Sequence, residues 1–409
     1  MRRFCLTGMV IVALVQTGCG NVTSSQGNKA GTAGSPTPSA LASSVRPGEL
    51  LFAVTAGPNG VFGPTNSVAI VGLDGRARAK AQFKPMAVPA LGCGEAGYTP
   101  PVATPAGGAL LYLSSDGVIR RLSPAGEVAD MIHLPVLTDQ QASWFAASPD
   151  GKQLMASIIA FPPIVPSTSC ISHQPGPTRI ELLKGGAGTS FSVLKTDQQD
   201  TSKSPPQNVL TPVAWDSAGA IATTDPAWFG IGSPSGQIWG ATAVHLDSSA
   251  HPGAPIGGGG CQALYGTAAN GDVLCYDRLQ PNVRDAAGNL LWKLRALGSN
   301  DGVSYGDVSL SPDAAHVAFA LYNDDFSYNS AVIRGRDGTR IGLSGPFQPA
   351  GWLDTDTVIG LTGAIKVQCS GCAAGPVFNE LAVVRVSNPS RIETLGLNAR
   401  FVGVVQAAS

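Results

Sequence analysis

Residues Trp144 to Ile158 place two short apolar runs on either side of the tetrapeptide Ser148-Pro149-Asp150-Gly151. Runs of strand length around a Pro-Asp-Gly turn are the sequence form of a tight β-hairpin. The same arrangement returns between Val308 and Ala320, around Asp313. One hairpin cannot bury its apolar faces alone, so a chain that repeats it must stack the copies. That repetition constrains the fold more than any other feature.

From Gly48 onward no helical period of useful length is present, and a unit of roughly 40–60 residues recurs. Each unit carries an inner hairpin turn: Pro105 to Gly108, Asp150-Gly151, Asp216 to Gly219, Ala269 to Gly271, Asp313-Ala314 and Asp354 to Asp356. Each also carries an outer one: Asp74-Gly75, Pro124 to Gly126, Gly185 to Gly188, Asp247 to Ser249, Ala287-Gly288, Asp337-Gly338 and Asn388-Pro389. The inner set is one short. The first unit opens directly with the strand Glu49 to Val54, while an orphan strand, Arg400 to Val405, stands at the C-terminus. Lending that strand to the first unit closes a ring without exposed ends. The expectation is an all-β chain: a single β-propeller of seven four-stranded blades closed by the C-terminal strand.

The Ser-Pro-Asp-Gly turn with its flanking strands resembles the repeats of TolB-type and related WD-repeat-like β-propellers. Ser148 to Gly151 matches it fully, and Ser311 to Asp313 matches it without the glycine. The other units keep the pattern but not the letters. TolB carries an additional N-terminal α/β domain where this chain has a linker, so TolB's partners do not follow from the resemblance.

Ahead of the repeats, Met1-Arg2-Arg3 is a short basic segment and Leu6 to Val15 an apolar one too short to span a bilayer. The sequence Gln16-Thr17-Gly18-Cys19 then resembles the lipobox of bacterial lipoproteins, although Gln16 stands where an aliphatic residue is usual. The resemblance implies a signal peptide over 1–18 and a lipidated Cys19, with an ordinary cleaved signal peptide as the alternative. Residues 19–47 are rich in Gly, Ser, Thr, Ala and Asn and bury too little to order themselves, so they read as a flexible tether. The propeller then occupies 48–409, exported and anchored to the outer face of the bacterial cell membrane or the periplasmic face.

With 13% charged residues and a formal net charge of −1, the chain lacks the basic surface of a nucleic-acid binder. Lys and Arg are scattered without runs, and the expected state is a monomer. Gly 51 and Pro 31 without a collagen period suit a turn-dense β chain.

In a blade with strands A to D, counted from the axis outward, the A–B and C–D turns share one face. The long insertions fall between strands B and C, on the other face: Thr55 to Ser67, Phe161 to Thr178, Thr224 to Gln237, Asn323 to Ser330 and Thr362 to Phe378. The D–A segment Pro85 to Pro100 joins them. Loops longer than their connection needs often carry function. Phe62, Trp228, Phe229, Phe326 and Tyr328, with Asp324 and Asp325, are therefore candidates for binding a protein, peptide or glycan. The alternative is that these side chains fold back under their own loops.

Beyond Cys5 and Cys19, six cysteines remain, an even number that reads as disulfides in an exported chain. Cys261 and Cys275 face each other across the Asn270-Gly271 hairpin. Cys93 and Cys170 lie in neighbouring long loops, and Cys369 with Cys372 would close a small loop. No helix follows Cys372 to make a redox pair, and the five histidines form no ligand-spaced cluster for zinc.

Catalytic signatures are missing. Gly92 to Gly97 spells a dinucleotide fingerprint, but Pro100-Pro101 follows where the helix should start. There is no Gly-x-Ser-x-Gly elbow; Asp354 with Asp356, or Asp324 with Asp325, has the donors for calcium, but the first pair reads rather as a turn cap. His133 and His316 lie in strand-like stretches and are expected to be packed. The reading is a binding or scaffold module with no cofactor, metal or catalytic residue identified. The alternative is a hydrolase or lyase using the central pocket of the long-loop face.

Overall fold

A computed structural model of the chain describes residues 48–58, 65–86, 102–166, 171–173, 177–200, 208–224, 242–261, 263–277, 280–294, 304–323, 328–366 and 376–405. Among them are seven four-stranded antiparallel sheets and one two-stranded ribbon. Six sheets use four consecutive strands each, within 103–133, 141–200, 211–255, 263–293, 304–342 and 348–397. The seventh combines Leu51–Ala56, Ser67–Gly72 and Ala77–Gln82 with the last strand of the chain, Arg400–Val405. Counting this composite sheet as the first, the blades follow in chain order.

Seven apolar clusters join the blades, one at each junction. Leu51 and Ile70 meet Leu110 and Tyr112 between the first and second blades, and Leu111 and Ile119 meet Phe145 and Leu154 at the next. Met155 and Leu182 then pack on Ala220 and Val244, Ile221 and Ala243 on Leu264 and Cys275, and Leu274 and Val283 on Val308 and Phe319. Ala318 and Ile333 pack on Trp352 and Val358, and Ile359 and Leu361 return to Phe52 and Phe401 of the first blade. The ring is closed.

This packing explains the run-like hydrophobicity of the inner strands. Every residue of Ala109–Leu113 is buried, because Leu110 and Tyr112 face the first blade while Leu111 and Leu113 face the third. A strand covered on both faces reads as a continuous apolar run rather than an alternation. Each such Leu contributes about 1.5–3 kcal/mol by leaving water. The outermost strands have no second cover. Ser192–Asp200 in the third blade is polar and largely exposed, as an unpaired sheet edge should be.

The repeated turn holds together through its own side chains. Ser148 Oγ donates to Asp150 Oδ1 at 2.6 Å, and the amides of Lys152 and Gln153 donate to Asp150 Oδ1 and Ser148 Oγ. Ser311, Asp313, Ala315 and His316 repeat these bonds one for one. The turn needs a left-handed residue, supplied by Gly151 at φ 70° and by Ala314 at φ 56°. The proline carbonyl also reaches the preceding blade. Pro149 O accepts from Gly107 N, and Pro312 O from Ala269 N, each at 2.9 Å. The motif is thus both a hairpin turn and a clasp between blades.

One turn differs from expectation. The outer hairpin of the seventh blade turns at Val386-Ser387, with Arg385 opposite Asn388, rather than at Asn388-Pro389. Pro389 lies instead within the strand Asn388–Leu397. It is tolerated there because an outermost strand has amides facing away from the ladder.

The closing strand Arg400–Val405 runs antiparallel to Leu51–Ala56, with Phe52 opposite Val404 and Val54 opposite Phe401. The Phe401 ring lies 6.3 Å from that of Phe52, and Gly351 leaves it room, since a Cβ there would sit 2.4 Å from the ring. Cys261 and Cys275 form a disulfide, as expected. It lies in the cluster between the fourth and fifth blades. Cys93, Cys170, Cys369 and Cys372 lie outside the described residues.

Removing the closing strand would leave the inner edge of the first blade unpaired. Deletion of 400–409 is therefore expected to lower the melting temperature by about 10 °C or more. Circular dichroism melts would check this, and an unchanged transition would rule out closure by this strand.

Candidate functional site at the long-loop face

Strands alternate in direction, so the A–B and C–D turns lie together at one end of each blade. Hydrogen bonds between them confirm this: Ala187 N to Lys152 O, Arg336 N to Ala315 O and Val386 N to Asp356 O. This end is closed by short turns throughout. Asp354 caps its turn as expected, accepting from the amides of Asp356 and Thr357. A half-exposed His245–Asp216 pair, Nε2 to Oδ2 at 2.9 Å, also lies at this plain end.

The opposite end receives the long connections. Second and third strands are joined there through 57–66, 161–176, 224–242, 323–327 and 367–375 in five of the blades. In the second of these connections Ile164–Pro166 and Ile171–His173 pair as the small ribbon.

Of the residues singled out from sequence, Phe62, Trp228, Phe229, Asp324, Asp325 and Phe326 lie outside the described residues, as does Cys19. Tyr328 is described. It opens the third strand of the sixth blade, Tyr328–Gly335, and is half-buried at the junction with the seventh. Its ring meets Tyr322 edge-on at 6.2 Å and Phe378 at 5.1 Å. Its hydroxyl accepts from Phe347 N at 3.0 Å.

Beneath Tyr328 lies a residue that sequence reading passed over. Asp307 sits within the innermost strand of the sixth blade, Ser304–Leu310, and is 6% exposed. The ladder slips between Gly306 and Ser309, and Asp307 takes φ 48°. Positive φ costs a residue with a Cβ about 1–2 kcal/mol. The resulting bulge points the carboxylate at Tyr322, the last residue of His316–Tyr322, and at Gln348, the first of Gln348–Trp352. Tyr322 Oη donates to Asp307 Oδ2 at 2.6 Å and Gln348 Nε2 donates to the same oxygen at 2.8 Å. Both donors stand at the long-loop ends of their strands.

Burial raises the Asp307 carboxyl to about 6 from its ordinary 3.8, outweighing the two hydrogen bonds, which lower it. Burial, and then the Asp307 charge, hold the Tyr322 phenol well above its ordinary range. Bulged backbone and a buried acid are costs that proteins concentrate at functional sites. Among the described residues no three His, Cys, Asp or Glu side chains gather to hold a metal. Of the two histidines expected to be packed, His316 is half-buried and stacked on Trp352 at 6.1 Å. His133 is instead exposed, because it ends the outermost strand of its blade.

No family model matches the chain, and no curated protein matches its sequence. Solved structures match it at low identity. TolB from Acinetobacter baumannii is 14% identical, with a TM-score of 0.31 over 87% of this chain and 66% of that one. An oligogalacturonate lyase in complex with manganese is 10% identical, with a TM-score of 0.33 over 80% and 70%. A puromycin-hydrolysing peptidase from Mycobacterium tuberculosis is 13% identical, with a TM-score of 0.45 over 85% and 53%. The chain has the fold of a seven-bladed β-propeller, and TolB is among the structures it is similar to. These likenesses assign it no activity.

Because its folded-state pKa lies above the unfolded one, Asp307 favours folding most below about pH 4. That contribution is lost as pH rises through about 6, a change of about 3 kcal/mol. Asp307→Asn keeps an acceptor for both donors without the charge. Its urea midpoint should match the wild type near pH 4 and exceed it near pH 8, by the equivalent of about 3 kcal/mol. A variant no more stable at the higher pH would contradict this account of the site.

Proposed function

We propose that this protein is an exported, lipid-anchored propeller that binds a protein, peptide or glycan through its long-loop face. The observation that carries the reading is the asymmetry of the ring. One end is sealed by short hydrogen-bonded turns, while five blades send their extra length to the other. Rigid scaffolds commonly carry their recognition surface on such loops. The aromatic residues Phe62, Trp228, Phe229 and Phe326 belong to these insertions, and residues of this type dominate binding hot spots. The anchor is inferred from Gln16 to Cys19, and the compartment from the apolar segment that precedes them.

A second reading, a hydrolase or lyase acting at the same face, draws on Asp307. An acid with a pKa near 6 is suited to donate or accept a proton near neutral pH. It would still need a partner nucleophile or base.

Two experiments test the first reading. Cys19→Ser should shift the protein from the membrane to the soluble fraction of its host, whereas persistent membrane retention would remove the lipid anchor. Trp228→Ala with Phe229→Ala should weaken a captured partner at least tenfold, about 1.4 kcal/mol. The melting temperature should hold. A large loss of stability would mean that these rings are core rather than surface.

A further inference from the structure

We propose that Asp307, with the rings of Tyr322 and Tyr328, forms a site for a cationic organic group, an ammonium or guanidinium, at the long-loop face between the sixth and seventh blades. The inference rests on the reading of that face as the binding face, and it names the chemistry of one contact there.

The first observation is an imbalance of charge. The Asp307 carboxylate is buried, yet both of its donors, Tyr322 Oη and Gln348 Nε2, are neutral and converge on Oδ2. Among the described residues no donor reaches Oδ1, and no lysine, arginine or histidine pairs with the carboxylate. Among the described residues Tyr322 is the titratable group that meets it, with Tyr328 packed on the Tyr322 ring, and burial keeps both phenols neutral. The ionisable residues His316 and Arg334 belong to the same strands but stand at or near their plain-face ends. A buried anion without a cation is costly unless one arrives from outside.

The second observation is the wall beside it. Tyr322, Tyr328 and Phe378 meet edge to face in a row that leads outward along the junction. Aromatic faces beside a carboxylate favour ammonium and guanidinium groups through cation–π attraction. Tyr328 is held in place by the Phe347 amide, so the wall is preorganised. Metal binding fits less well, because a hard divalent ion takes six or more oxygen ligands and among the described residues a single carboxylate is offered. The left-handed backbone at Asp307 is what turns the carboxylate toward this row.

Titration calorimetry with n-butylammonium chloride, against 1-butanol and potassium chloride as controls, tests the proposal on the full chain. Saturable binding of the ammonium alone is expected. Because a proton competes for the same carboxylate, affinity should be about tenfold weaker near pH 5 than near pH 7.5. Asp307→Asn should abolish binding at both pH values. If that variant does not fold, Tyr328→Ala should weaken binding, and the wild-type pH ratio decides independently. Absence of saturable binding, an equal response to potassium or butanol, or binding indifferent to Asp307→Asn would each overturn the site. Those results would leave partner capture by the long loops to its own test.

Discussion

Each blade of this protein is covered on both sides by its neighbours, and no blade can be buried without them. Phe52, Leu111 and Phe319 belong to clusters shared between sheets rather than to a core within one. Burial of that kind is satisfied only when the ring has no end. The constraint therefore falls on Arg400–Val405, which travels the length of the chain to pair with Leu51–Ala56. The stability of every junction depends on that antiparallel ladder and on Phe401 beneath it.

The turns show how a local motif can serve a global purpose. Ser148 and Asp150 bind their own backbone, which settles the hairpin without help from elsewhere. The same turn leaves the Pro149 carbonyl directed at Gly107 of the preceding blade. Repeated at Pro312, this arrangement ties adjacent blades at the plain end of the ring. An end clasped in this way has little freedom to adapt to a partner. The other end is where the added chain length lies.

Asp307 stands apart from this economy. Its backbone is left-handed, its carboxylate is buried, and its donors among the described residues are neutral. Of these features only the Gln348 bond, which joins the sixth blade to the seventh, serves the ring itself. A fold optimised for stability alone would carry an apolar side chain at such a junction. The cost is concentrated beneath the entry of the sixth blade's long loop, where recognition would use it.

The hairpins and the number of blades could be read from the chain because Ser148, Asp150 and their counterparts act on atoms a few residues away. The pairing of Cys261 with Cys275 was open to the same reading for the same reason. The turn at Val386-Ser387 was misread because Pro389 signals a turn in most settings, and only its position on an outer edge makes it a strand residue. Asp307 could not be found at all, since its donors lie 15 and 41 residues away and are brought together by the packing of two blades. The sequence by itself determined the repeat, its turns and the strand left over for closure, because local hydrogen bonding and alternating burial encode them. Only the tertiary structure decided where a carboxylate loses its water, because that depends on which blades meet around it.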